Sequence, residues 1–260
     1  MNGTLIVFGR WPTMHRVKTR LARTVGAARA LAVYRGLLVA TLVAGDGCRS
    51  ARRRVFDVDG PVGPPRDAHA VDAVDATDAV QATDEAETAD AADAALDRLL
   101  RAHRWQVREQ VGEGLGERMR RSLSRAAAEA AREFGCAAPA ATPARREAVP
   151  VGPALPVVLV GTDGAAIDAA YLDAAFAALV RHEVVLGPTA DGGYLLIGTR
   201  VELPHTVFEQ HWSTDAVLDG TRAALRRASI PWTELPTVFD IDTEEDLVHA
   251  SRATPPDRAT

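Results

Sequence analysis

Short apolar runs alternate with helical patterns along most of the chain, and that alternation limits the fold more than any other feature. Residues 4–8 and 53–57 read as strands, with an amphipathic helical stretch over 27–44 between them. Residues 105–109 form a weaker strand, and 115–134 a helix with one polar, arginine-rich side. Residues 157–160 are a continuous apolar run, the pattern of a strand buried on both faces. Then come a helix over 169–181, strands over 183–186 and 194–198, a helix over 214–228, a mixed segment over 232–239 and a last helix over 244–251. Thr243 is placed to cap that last helix, whose first turn is acidic. Strands and helices in turn make an α/β fold, a mostly parallel central sheet with helices on both faces. The expected unit is a single domain over residues 1–253. Ligands of such sheets collect at the carboxyl ends of the strands.

Some segments stand outside this pattern. Residues 67–93 are rich in Asp, Ala, Thr and Val, too polar for a core, and read as a disordered or loosely helical acidic insertion. Residues 136–156 read as an Ala/Pro-rich loop and 254–260 as a frayed tail. The net charge of −5 gives no reason to expect nucleic-acid binding. No apolar run approaches the roughly 20 residues of a membrane span, and the chain enters a strand too early for a secretory leader. Cys48 and Cys136 are far apart and outside any metal-binding spacing, which fits a reduced, cytoplasmic protein.

Chemistry concentrates at the strand ends. Lys18 is the only lysine in a chain with 30 Lys and Arg residues. With Arg10, Arg16 and Arg20 it forms a basic loop after the first strand, a composition suited to phosphate. The strand at 157–160 runs into Gly161-Thr162-Asp163, where Asp163 is either a divalent-metal ligand or a turn or helix cap. Asp191-Gly192-Gly193-Tyr194 is both a hairpin signal and a flexible tip able to hold a sugar or phosphate. Asp240 and Asp242 alternate so as to point the same way, which is repulsive unless a cation sits between them; Asp242 could instead cap the last helix. Gly112, Gly114 and Gly116 lead into the helix at 115, where free amides can meet a phosphate or a base edge. The histidines form no pair at ligand spacing, and no Gly-x-Ser-x-Gly motif is present.

These blocks together resemble a known family. Phe8-Gly9-Arg10-Trp11-Pro12, Arg16-Val17-Lys18-Thr19-Arg20-Leu21, Gly114-Leu115-Gly116-Glu117-Arg118-Met119, Gly161-Thr162-Asp163, Asp191-Gly192-Gly193-Tyr194, Trp212-Ser213-Thr214 and Asp240-Ile241-Asp242-Thr243 follow one another as in an uncharacterised bacterial family of GT-A-fold, nucleotide-diphospho-sugar transferase-like proteins. The Lys-Thr-Arg-Leu opening is also similar to that of the phospholactate guanylyltransferases. Met14-His15 stand where the family usually has Pro-Gly, and Gly164-Ala165 where it usually has Cys-Pro.

The resemblance implies a GT-A-like domain and metal-assisted transfer from a nucleotide-activated donor, an NDP-sugar above all, to an unknown acceptor. Arg10, Arg16, Lys18 and Arg20 would hold the phosphates and Gly112, Gly114 and Gly116 lie near the base. Asp163, Asp242 and Asp240 would hold Mg²⁺ or Mn²⁺. Lys18 and Asp191 would be catalytic, with Asp240 the second candidate for general base, and Gly192, Gly193, Tyr194, Trp212 and Ser213 would shape the sugar or acceptor pocket. The alternatives are an NTP-dependent nucleotidyltransferase that releases pyrophosphate, and a non-catalytic nucleotide-binding protein.

Overall fold

A computed structural model describes residues 3–60, 91–134, 155–165 and 167–253. Most of the expected insertion, the segment 136–154 and the tail 254–260 lie outside the described residues. Strand β1 is Gly3–Arg10, β2 Ala51–Asp59, β3 Gln106–Glu109, β4 Val157–Gly161, β5 Val184–Pro188, β6 Tyr194–Thr199 and β7 Trp232–Glu234. They form one seven-stranded sheet in the order β3-β2-β1-β4-β6-β5-β7. β1, β2, β3 and β4 are mutually parallel, as are β5 and β7; β6 runs antiparallel to both of its neighbours. The mostly parallel α/β sheet expected from the sequence is the one observed.

The helices are α1 (Thr19–Val25), α2 (Ala27–Gly47), α3 (residues 91–102), α4 (Leu115–Phe134), α5 (Ala169–Ala178), α6 (Val217–Arg227) and α7 (Glu244–Ala253), with a short 3₁₀ turn at His205–Val207. Strand side chains alternate between two cores, which explains the unbroken apolar runs. Leu5, Val7, Val158 and Val160 face a core completed by Leu38 and Leu42 of α2, Leu172 and Phe176 of α5, and Leu96 and Leu100 of α3. Ile6, Val157, Leu159 and Ile197 face the other, with Met119 and Leu123 of α4 and Leu218 and Leu225 of α6.

Three expectations need correction. The basic segment after β1 is not all loop, because Thr19–Val25 close into α1. By length and composition α2 can cross a membrane, contrary to the impression that no run is long enough. In this fold Leu31, Tyr34, Leu38 and Leu42 of α2 pack into the core against the sheet. Residues 91–93, assigned to the polar insertion, begin α3, and Asp93 there accepts from Arg35 at 2.8 Å. Cys48 is a buried free thiol whose value is pushed up to about 11 by burial and by its contact with Asp173; Cys136 lies outside the described residues.

Candidate functional site

The carboxyl edge of the parallel strands gathers most of the chemistry. β1 ends at Arg10, β2 at Asp59 and β4 at Gly161, just before Asp163. The segment after β7 crosses this edge. Val238 donates to the Pro188 carbonyl at the end of β5, and Ile241 to the Asp163 carbonyl. Gly164 and Asp240 form an isolated bridge. Asp240 and Asp242 therefore reach the edge through backbone pairing with the ends of β4 and β5.

Lys18 lies at the centre. Its side chain is 3% exposed, and Nζ stands 2.6 Å from Asp163 Oδ1 and 2.9 Å from Asp242 Oδ1. Burial opposes the ammonium, but the two carboxylates outweigh it and raise Lys18 above its ordinary value. The residue sits at the N-cap of α1 with φ 46° and ψ 45°, left-handed for a side chain that rarely adopts that region. Strain of this kind concentrates at functional sites.

The cap alternatives for both aspartates fall away. Helix α5 is capped by Asp168, whose carboxylate accepts from Tyr171 N at 2.7 Å. Helix α7 is capped by Thr243 and Asp246: Asp246 Oδ2 accepts from Thr243 N at 2.7 Å and from Asp242 N at 3.0 Å. The Asp163 and Asp242 carboxylates are left to face Lys18.

The arginines surround this centre without converging on it. Arg20 Nη1 is 3.7 Å from Asp242 Oδ2 and the side chain is largely exposed. Arg16 is exposed and makes no side-chain hydrogen bond or ion pair among the described residues. Arg10 is engaged by Asp59 at 3.2 Å and by the Arg16 carbonyl at 2.8 Å. Asp59 also takes Arg118 of α4 at 2.6 Å, which ties the start of that helix to the end of β2.

Asp191 spends one oxygen on its own turn, accepting from Thr189 Oγ1 at 2.6 Å and Gly193 N at 3.1 Å. This is the hairpin between β5 and β6, and Gly192 supplies the positive φ of 87° that it needs. Asp240 lies within electrostatic reach. Burial, then Asp191 and Asp242, push it up to about 6, while Lys18 pulls the other way. Among the described residues no three carboxylate, histidine or cysteine groups are arranged to hold a metal, so Asp240 does not join Asp163 and Asp242 in a ready-made triad. The pair alone offers two hard oxygen donors that share a cation, here an ammonium. That donor set fits Mg²⁺ or Mn²⁺ completed by water and phosphate oxygens, the usual way Mg²⁺ is held beside a nucleotide.

Two pocket assignments do not survive. Gly116 is buried inside α4, and a Cβ there would stand 2.0 Å from the Phe208 carbonyl oxygen and 2.8 Å from Trp212 Nε1. It is a packing glycine and presents nothing to a base. The Tyr194 hydroxyl is buried beside Thr221 without a well-formed hydrogen bond, and its value is pushed up by that burial. It faces the core rather than a sugar; only the ring, edge-on to Trp212, borders that region. The Trp212 N–H is used by the Phe208 carbonyl at 3.2 Å. Ser213 is exposed at φ 66°, Gly112 is a loop glycine at φ 139°, and Gly114 has open space around it.

Sequence patterns missed two supports. The Tyr34 hydroxyl accepts from Arg10 N at 2.7 Å and donates to Arg10 O at 2.8 Å, pinning the end of β1. The Gln110 amide donates to the carbonyls of Gly9 and Asp57, both at 2.9 Å, locking the ends of β1 and β2 together. A tyrosine in an apolar helix and a glutamine after a short strand carry no sequence signal for either role.

Fold and site edge together define an α/β protein with a basic and acidic carboxyl edge. Residues 68–214 match a family described as an uncharacterized protein conserved in bacteria (DUF2064), and the chain belongs to that family. A supposed nucleotide-diphospho-sugar transferase from Desulfovibrio desulfuricans shares the fold, with 23% identity, a TM-score of 0.65, and coverage of 100% of this chain and 92% of that one. Rv0371c of Mycobacterium tuberculosis, in a complex with manganese, is more distant at 17% identity, a TM-score of 0.45, and coverage of 98% and 100%. A 4-diphosphocytidyl-2C-methyl-D-erythritol synthase from Anaerococcus prevotii stands at 9% identity, a TM-score of 0.48, and coverage of 96% and 95%. No curated protein matches the chain.

Proposed function

We propose that this protein is a metal-assisted transferase that uses a nucleotide-activated donor, most simply an NDP-sugar. The observation that carries the reading is the Lys18 ammonium, almost fully buried and held between Asp163 and Asp242 at the carboxyl edge of the sheet. An edge with a compact cation, two convergent carboxylates and two exposed arginines, Arg16 and Arg20, suits a diphosphate with its divalent ion. Asp163 and Asp242 would hold the ion; bound there, it would offset the charge that develops on the departing phosphate. Lys18, Arg16 and Arg20 would bind phosphate oxygens. Arg10, tied to Asp59, would shape the wall beside them. Gly112 and Gly114, in the open turn before α4, would border the base. Asp191 and Asp240 would meet the acceptor, with the Gly192-Gly193 turn and the Tyr194 and Trp212 rings behind them.

The runner-up is transfer of a nucleotide from an NTP with release of pyrophosphate. It is favoured by the number of cations at one edge, since Arg16, Lys18 and Arg20 suit a triphosphate as well as a diphosphate. A thermal-shift panel of NTPs and NDP-sugars, each with and without Mn²⁺, separates the two. A ligand at about a hundred times its dissociation constant adds roughly 2.7 kcal/mol of stability. Metal-dependent stabilisation by NDP-sugars supports the first reading and stabilisation by NTPs alone the second. Stabilisation by neither class, with or without the ion, removes both.

A further inference from the structure

The carboxylates of Asp163 and Asp242 already share a cation, and it is a side chain of the protein itself. Lys18 Nζ contacts both, at 2.6 and 2.9 Å, from a side chain 3% exposed. A divalent ion bridging the same two oxygens would sit about 2 Å from each. The ammonium occupies that position, and two cations cannot share it. Arg20 approaches only the other oxygen of Asp242, at 3.7 Å, and cannot take over the bridge from where it stands. A lysine stem has several rotatable bonds, and Arg16, Thr19 and Arg20 on either side of Lys18 are exposed.

Resting on the reading that this edge takes a metal and a nucleotide, we propose that Lys18 and the divalent ion exchange places on the Asp163–Asp242 pair. Without ligand the ammonium holds the two carboxylates. When metal and nucleotide arrive, the metal takes the carboxylates and the ammonium turns to the phosphate oxygens. No bond is made or broken; only ion pairs are exchanged. Metal alone must evict an ammonium from two close ion pairs, leaving it the weaker, longer-range pull of Asp240 and Asp246. A nucleotide alone draws the ammonium away and leaves two carboxylates facing each other. Each ligand supplies what the other displaces, so the two bind with positive coupling, and the coupling is reciprocal. The resident lysine thereby disfavours metal uptake in the absence of a donor.

The test is Mn²⁺ binding without nucleotide, followed by the loss of the free-ion paramagnetic resonance signal. Lys18→Met and Lys18→Gln both remove the competing charge, the second keeping an amide that can donate to the carboxylates and so protecting the fold. Both should bind Mn²⁺ about tenfold more tightly than the wild type, opposite to the effect of deleting an ordinary contributor to the site. Equal or weaker binding in the variants overturns the exchange while leaving the metal site standing. Mn²⁺ taken up by none of the three proteins removes the metal from the edge, and the exchange with it. A second measurement uses the wild type alone. Because Lys18 is the only lysine, amine-reactive labelling followed by mass spectrometry of its peptide reports this one side chain. Labelling should be slow in the free protein and rise along the Mn²⁺ binding curve; Mn²⁺ bound with Lys18 still protected overturns the exchange.

Discussion

Replacing Lys18 separates two contributions that the structure superimposes at one residue. Lys18→Met removes the ammonium and keeps both the stem and the left-handed backbone, so Asp163 and Asp242 lose their shared counter-charge. A charged hydrogen bond contributes roughly 1.5–3 kcal/mol when well shielded. Here the carboxylates are 45% and 37% exposed, and screening pulls each pair towards the smaller range of open ion pairs. The expected loss is about 2 kcal/mol for both pairs together. Lys18→Gly loses the same pairs but also removes the Cβ from φ 46°, ψ 45°. Left-handed backbone costs an L-residue roughly 1–2 kcal/mol, so the glycine variant should be about 1 kcal/mol more stable than Lys18→Ala, which gives up the same buried stem. The order in urea unfolding is then wild type, Lys18→Gly, Lys18→Ala. The pH dependence has a definite sign. The value of Lys18 is raised in the folded state, where burial opposes the ammonium but Asp163 and Asp242 prevail. Its contribution is therefore complete below its ordinary 10.5 and is lost as the pH rises past the folded value. The gap between wild type and Lys18→Met should stay constant from neutrality to about 10.5 and close as the pH rises from there through the folded value. A methionine variant as stable as the wild type would refute the pairing; a glycine variant less stable than the alanine one would refute the strain.

Three further outcomes follow from buried contacts. Arg108, 4% exposed, grips the 2%-exposed Asp57 through Nε and reaches Glu129 of α4 at 2.6 Å. Arg108→Met should cost about 3–5 kcal/mol by urea unfolding, and adding Asp57→Leu should recover part of it, because the stranded charge goes too. Gly116→Ala forces a methyl against the Phe208 carbonyl and should cost about 1–3 kcal/mol, with a change in Trp212 fluorescence; unchanged melting would mean that α4 and the 3₁₀ segment do not touch. Replacing residues 67–90 by a Gly/Ser linker should leave the melting temperature nearly unchanged. Extending the cut to 93 should lower it, because Asp93 pairs with Arg35 and accepts weakly from Trp11; equal melting of the two deletions would show that this contact contributes nothing.

Periodicity carried the fold a long way. The helix at 115–134 was legible to its ends because an arginine-rich face and an apolar face recur for many turns, and the strand at 157–160 because both of its faces are buried. Helix α1 was not, since it has only seven residues, no side-chain cap and no acidic first turn, and it follows a left-handed lysine rather than the glycine or asparagine that would mark one. The acidic and basic strand ends were legible as residue types. Their partnership was not, because Asp242 is 224 residues from Lys18 and spacing says nothing about contacts of that range. The same limit hid Gly116: alternate glycines before a helix look alike whether they face a ligand or, as here, the Phe208 carbonyl.

Isothermal titration at saturating Mn²⁺ tests most directly the claim that phosphates bind beside Lys18. With the carboxylates already occupied by metal in every protein, the titration reads the phosphate contact alone. The ligand is the most stabilising donor from the thermal panel, and the proteins are the wild type, Lys18→Ala and Lys18→Arg. The account predicts that Lys18→Ala binds more weakly by about 1.5–3 kcal/mol, the range of a charged hydrogen bond. Lys18→Arg should recover only part of that, because a planar fork cannot place a point charge where the ammonium stood. Wild-type affinity in Lys18→Ala would contradict the account.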